Sequence, residues 1–281
     1  MGFYAVSPLL IALYSSVIGG LILMGPIVRR GTGFWRGWPR SDWVRFVAAS
    51  LAIFVVGMLL VFVAIDQIGA SKSAMIGRLE SLFVVALAVL ILGERWPARR
   101  WLATAITLAG TFVVNFDPEA LQLTIGFGEW LALTAALVFA SGIIIFKPLL
   151  DRHDAQLLTG SAMVLGAVVL LPVCIYFDVW SSAAGDGVAQ TDGPGQFVLL
   201  TLLAMSVLRG LSWSTYSIAM RHIGASRCSI LFLTSVFLIV AIQVGLDAIA
   251  PGLGLRVPAN LTTAVAGGSL IVLGIVLLQR S

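Results

Sequence analysis

Between Ile68 and Trp101 the chain reads IGASKSAMIGRLESLFVVALAVLILGERWPARRW. Its apolar run Leu82 to Leu92, with its flanks, is long enough to cross about 30 Å of hydrocarbon at about 1.5 Å per residue. It reads as a membrane helix. Arg78 and Glu80 interrupt the first half of that helix, where each charge costs about 2.5–3.5 kcal/mol on insertion scales. Charges kept at such a cost serve either a function or a structural pair. Part of the stretch returns 155 residues later, Ile68-Gly69-Ala70-Ser71-Lys72-Ser73 becoming Ile223-Gly224-Ala225-Ser226-Arg227-Cys228. The chain looks duplicated.

The rest of the sequence agrees with a lipid environment. Hydrophobic residues make up 59% of the 281 and charged residues only 11%, against about 25% charged in a soluble chain. The net charge of +4 does not point to nucleic acid, because the basic residues are scattered over short turns and form no long basic face. Cys174 and Cys228 have no metal-ligand spacing and read as buried small apolar residues. The first segment lacks a basic leader and a cleavage site, so it is expected to be retained. No sizeable domain outside the membrane is expected.

Nine apolar segments follow one another: Val6 to Val28, Trp43 to Ala64, Ser73 to Leu92, Leu102 to Val114, Gly128 to Phe146, Leu157 to Phe177, Phe197 to Met220, Ser229 to Ala248 and Leu261 to Leu278. The fold class expected is an all-α polytopic membrane protein, an inverted-repeat bundle of nine transmembrane helices. Asp178 to Gly195, rich in Gly, Ser and Asp, is expected to be a flexible external loop. Alternate loops hold Arg29, Arg30, Arg36, Arg40 and Arg45, then Arg95, Arg99 and Arg100, then Lys147 and Arg152, then Arg221 and Arg227, then Arg280; the opposite loops hold Lys72 and Arg256 with most of the acids. Positive residues stay inside, so the C-terminus is expected in the cytoplasm and the chain in the inner membrane. The two copies of the IGAS element lie an odd number of helices apart and so point in opposite directions. Weaker echoes agree: Leu9-Leu10 through Pro26 with Leu157-Leu158 through Pro172, and Leu108-Ala109-Gly110 with Val272-Leu273-Gly274. The expected division is a first repeat of four helices, residues 1–120, and a second of five, residues 121–281.

The Gly69-Ala70-Ser71 opening, the Leu79-Glu80-Ser81 step, the Leu92-Gly93-Glu94 exit, Leu108-Ala109-Gly110 and the Gly126 to Trp130 start of the second half together resemble one family, the EamA-type transporters of the drug/metabolite transporter superfamily. The resemblance implies a secondary transporter or exporter of amino acids and other small metabolites, made of two inverted five-helix halves around a central cavity. Three departures stand out. The first of the family's ten helices has no counterpart here, the expectation being either a nine-helix variant or a late start; Ser81-Leu82 stands where relatives commonly carry a Pro, and Thr234-Ser235 replaces Leu79-Glu80 in the second copy.

Glu80 is expected near the bilayer midplane on the face of Ser73, Ile76, Gly77 and Val84. There it would bind a cationic substrate group or a proton, or else close a structural ion pair. Arg209 shares a helical face with Ser212, Trp213 and Tyr216, suited to grip a carboxylate in two-pronged fashion beside aromatic rings; the alternative is that it neutralises Glu80. Arg78, roughly 160° around the helix from Glu80 by the helical period, can snorkel outward, and Tyr14 is a candidate cavity hydroxyl. Lys147 before Pro148 reads as an interface anchor, Glu94 as closing a turn, and Trp35, Trp38 and Trp43 as an aromatic belt.

His153 and His222, both expected in loops, form no HExxH or Cys cluster, and GxxxxGK[ST] is absent. No metal, no cofactor and no enzymatic activity is expected, and no ATP hydrolysis. The partners expected are a small-molecule substrate, the lipid bilayer, and protons or a counter-substrate, with a homodimer left open. The preferred reading is an exporter working by alternating access. The alternatives are a membrane structural or interaction subunit that moves nothing, and a flippase of lipid-linked substrates.

Overall fold

The computed structural model describes residues 8–28, 35, 37–114, 126–183, 195–249 and 261–279, and among these it is helical with no strand. The α-helices are α1 (Pro8–Val28), α2 (Arg40–Leu51), α3 (Gly57–Ile68), α4 (Ala70–Gly77), α5 (Glu80–Ile91), α6 (Ala98–Val114), α7 (Phe127–Arg152), α8 (Ala155–Ala183), α9 (Gly195–Ile223), α10 (Ala225–Phe232), α11 (Thr234–Ile249) and α12 (Leu261–Gln279). A π-helical turn, Ala52–Val56, joins α2 to α3 in one rod, while α4–α5 and α10–α11 are each one span broken by a tight turn. Every one of the nine apolar segments is therefore occupied by helix among the described residues, the all-α polytopic fold read from the sequence. Four stretches, Arg40–Ile68, Lys72–Ile91, Phe127–Arg152 and Ala155–Tyr176, are long and apolar enough to cross a membrane; Ile11–Gly25, Ala225–Ile239 and Val265–Leu278 are shorter apolar helices.

Local chemistry sets the helix starts. Asp154 Oδ1 accepts the Gln156 and Leu157 amides at 3.0 Å each, satisfying the free donors that open α8. Glu129, in the first turn of α7, reaches back to accept the Gly126 amide at 2.9 Å, the reciprocal half of a capping box. Proline lies inside α7 at Pro148 and inside α8 at Pro172, which a packed membrane helix tolerates. Three expectations are corrected here. The helix α8 runs on to Ala183 and α9 begins at Gly195, so Asp178 to Ala183 is helix rather than loop and residues 184–194 lie outside the described residues. His222 belongs to the last turn of α9, because the Arg221-His222 pair favours a helix C-terminus. The α6 span reaches back to Ala98, its polar Arg99-Arg100 turn being masked in a hydropathy scan. Of the charges used for topology, Arg29, Arg30, Arg36, Asp117, Glu119, Asp186, Asp192, Arg256 and Arg280 lie outside the described residues.

The chain forms two compact units, each drawing on both halves of the sequence. In unit 1, residues 1–62 and 141–223, α1 packs on α8 and α9, and α2 with its π-turn packs on α8. The approach is backbone to backbone. A Cβ at Gly19 would stand 2.8 Å from Ser206 O, and one at Gly20 2.7 Å from Gly160 O. Small residues of this kind replace the hydrophobic drive that lipid removes. Leu13, Val55, Leu170 and Cys174 fill the space around the contact.

In unit 2, residues 63–140 and 224–281, α6 packs on α12 and α5 on α10. Gly110 meets Gly267 O at 2.6 Å from its would-be Cβ, and Gly274 meets Ala103 O at 2.9 Å. Gly110 aligns with Gly274 in the repeat, and Ala103 with Gly267, so each helix offers the other the same pair of positions. The pairing is antiparallel, as two copies in opposite orientation require. The breaks repeat as well. Gly69 (φ 78, ψ 160) and Gly224 (φ 88, ψ 161), 155 residues apart, open α4 and α10. A tight turn follows in each copy, one residue out of register: Leu79 N–H turns back to Ile76 O and Leu233 N–H to Ile230 O, both at 3.0 Å.

Candidate functional site

Arg209 stands in the uninterrupted α9, and its Nε is buried without a hydrogen-bond partner among the described residues. Helical spacing places Trp213 and Tyr216 on its face, and their rings meet edge to face at 5.9 Å. Trp213 in turn packs on Phe54 at 5.0 Å. Phe54 belongs to the π-helical turn, where the extra residue per turn re-aims side chains; such turns recur at functional sites. The next residue, Gly210, abuts the Gly19 backbone of α1, so Arg209 is held by a close helix contact. Tyr14, also in unit 1, is 47% exposed on α1.

Glu80 and Arg78 belong to unit 2. The helix they were expected to share is broken between them: α4 ends at Gly77 and Glu80 opens α5. Arg78 lies in the turn after α4 and before α5. Glu80 sits at the favourable, positive end of the α5 dipole. Among the described residues neither Glu80 nor Arg209 closes an ion pair.

Three further groups were not legible as sites. Asp42, 3% exposed, accepts Arg152 Nη1 and His153 Nε2 at 3.2 Å each; an ionised carboxylate only accepts, so Nε2 carries the hydrogen. His153 stacks on Trp38 at 4.2 Å, and Trp38 packs with Trp35, Trp43 and Phe46. The expected aromatic belt is thus a cluster covering a buried carboxylate. Lys147, read as an interface anchor, pairs with Asp151 at 2.5 Å one turn along α7. Glu94 does more than close its own turn: its Oε1 accepts the Ala225 amide at 3.1 Å, 131 residues away. The sequence hint was the acid placed directly after Gly93, whose positive φ ends α5.

The sequence profile of the EamA-like transporter family matches residues 2–116 and again residues 126–280. The chain belongs to the EamA-like transporter family. Its relatives include a protein of Streptantibioticus cattleyicolor named as a probable terminal-alkyne amino-acid exporter, 27% identical over 214 residues. That match covers 76% of this EamA-like chain, which spans only 65% of the exporter's length. An uncharacterized transporter of Archaeoglobus fulgidus is 25% identical over 278 residues, 98% of this chain and 88% of that one. A solved crystal structure superposes with a TM-score of 0.75 at 18% identity, over 98% of this chain and 88% of its own, a likeness of fold. The family and these relatives are named as transporters, and the apolar helices of the EamA-like chain suit a membrane.

Proposed function

We propose that this protein exports a small amphipathic carboxylate of the amino-acid class, without converting it chemically, by alternating access between two inverted repeats, residues 1–120 and 121–281. The observation that carries the substrate class is Arg209. A cation retained at membrane depth for structure alone would be expected to spend its donors on neighbours. Arg209 keeps a buried Nε unspent beside Trp213 and Tyr216, the combination that grips a carboxylate while stacking on an apolar side chain. The amino-acid exporter among the relatives favours the same class. Glu80, at the start of a half-helix, is the proposed taker of the coupling proton; discontinuous helices of this kind carry ion and substrate groups in other secondary transporters. By the distribution of Lys and Arg the protein lies in the inner membrane with its C-terminus in the cytoplasm.

Counterflow of radiolabelled amino acids in proteoliposomes tests this. Arg209→Ala should reduce flux to background, and Arg209→Lys should raise the half-saturating concentration, because a point charge lacks the two-pronged fork. Glu80→Gln should remove the dependence of flux on a proton gradient. Full flux in both Arg209→Ala and Glu80→Gln, with monodisperse protein, would remove both assignments.

A further inference from the structure

The span α4–α5 is tied to other parts of unit 2 near both of its ends. At its start Glu129 of α7 holds Lys72, and Gly128 packs against Gln67 and Ile68. Past its far end Glu94 holds the first amide of α10. Lys72 lies one turn after Gly69, and Ala225 follows Gly224, so both ties close on the two glycines with positive φ that start the broken spans. The span Lys72–Ile91 has 20 residues, about 30 Å of helix. The ties therefore sit about one bilayer thickness apart. Among the described residues nothing lies within 4 Å of a would-be Cβ at Gly69, and its φ of 78 is one that glycine adopts readily, which suits a hinge.

We propose that the two ties are the latches of the transport cycle. Glu94 on Ala225 shuts one membrane face of unit 2, Lys72 on Glu129 shuts the other, and each opens in its turn. This rests on the transporter reading above. A tie meant only to hold helices together has no need of a free hinge beside it, and a single carboxylate–amide or ammonium–carboxylate bond is weak enough to open and strong enough to bias a population.

The fold supplies matched reporters. Cys228 on α10 and Ser73 on α4 occupy corresponding positions, and each is 4% exposed. In proteoliposomes, with Cys174→Ser throughout, N-ethylmaleimide is applied to native Cys228 or, with Cys228→Ser, to Ser73→Cys. Glu94→Ala should speed modification at 228 by about five- to tenfold, the shift expected on losing one helix-capping bond, and leave position 73 unchanged. Lys72→Met should do the converse. Glu94→Gln keeps an acceptor oxygen and should fall between; it also serves if Glu94→Ala does not fold, as Glu129→Gln serves for the other tie. Unchanged rates in all variants, or acceleration at both positions together with a lower Tm, would overturn the proposal in favour of plain structural ties. The labelling needs no substrate. A crossed pattern in a protein that moves no solute would sink the transport reading and leave two independently opening ties with no transport cycle to serve, and flux with an uncrossed pattern would overturn the latches alone.

Discussion

Units 1 and 2 are welded alike and differ in helix continuity. Both bring small residues together so that main chains touch, Gly19 on Ser206 in one and Gly110 on Gly267 in the other. Unit 1 then keeps its rods whole. Among its described residues the irregularities are Pro148 and Pro172, each inside a helix that continues past it, and the π-turn at Ala52–Val56, which rotates the side chains that follow. Unit 2 cuts two spans in the middle and starts each from a glycine in a conformation other residues avoid. An added residue re-aims a side chain, whereas a cut makes a joint. That contrast is why substrate holding is assigned to Arg209 in unit 1 and switching to the broken spans of unit 2.

The weld should give the largest effects and should not distinguish the units. Gly110→Val and Gly19→Val each drive a side chain into a partner's main chain, and backbone cannot yield as a side-chain tip does. The cost should exceed the about 1–3 kcal/mol usual for overpacking. Neither variant should yield a monodisperse peak on size exclusion, while Gly25→Ala, with nothing within 4 Å of its would-be Cβ among the described residues, should behave as wild type. If Gly19→Val folds and Gly110→Val does not, the units are not built on the same principle.

The fold was legible where burial in lipid forces a pattern. Among the described residues all nine apolar segments are occupied by helix, because hydrocarbon leaves the backbone no other way to satisfy itself. The repeat was legible through Gly69 and Gly224, since a required positive φ leaves a mark in the sequence. The break at Leu233 was not, because no Pro or Gly stands beside it; at the other break Gly77 closes α4, a signal that an apolar helical period did not single out. For the site, helical spacing grouped Arg209 with Trp213 and Tyr216 correctly, yet could not supply Phe54, which reaches Trp213 across helices. Glu94 closes the turn read from the sequence, but its second role was hidden for the same reason, its partner lying 131 residues away.

The joints come next in size. Gly69→Ala and Gly224→Ala must both enter a region of backbone conformation that a Cβ disfavours, at about 1–3 kcal/mol each. Gly224 carries a further burden, because its Cβ would stand 3.2 Å from Glu94 Oε1. Thermal unfolding in detergent should therefore rank Gly224→Ala below Gly69→Ala, and Glu94→Ala should bring the two together. Equal Tm losses with Glu94 present would mean that Glu94 yields freely and that its hold on α10 is slack.

The smallest effect tests whether a cut span depends on its neighbour. In α10 the tight turn diverts the Leu233 amide to Ile230 O, and the Ser229 carbonyl it leaves is met by Ser81 Oγ from α5 at 3.2 Å. Unit 1 has a hydroxyl bond between helices too: Thr159 gives its hydrogen to Ala155 O at 2.7 Å and so must accept from Ser217 Oγ at 2.8 Å. Such bonds between membrane helices average about 0.6 kcal/mol and reach about 1.7. Ser217, deprived of its acceptor by Thr159→Val, can turn to a carbonyl of its own helix, so that variant should lose about 0.6 kcal/mol or less. A carbonyl at a cut cannot turn. Ser81→Ala should therefore fall nearer the upper value, and matched unfolding curves in the same detergent read the difference. A loss for Ser81→Ala no larger than for Thr159→Val would show that the cut satisfies itself, and the contrast between whole and broken rods would then lie in geometry alone.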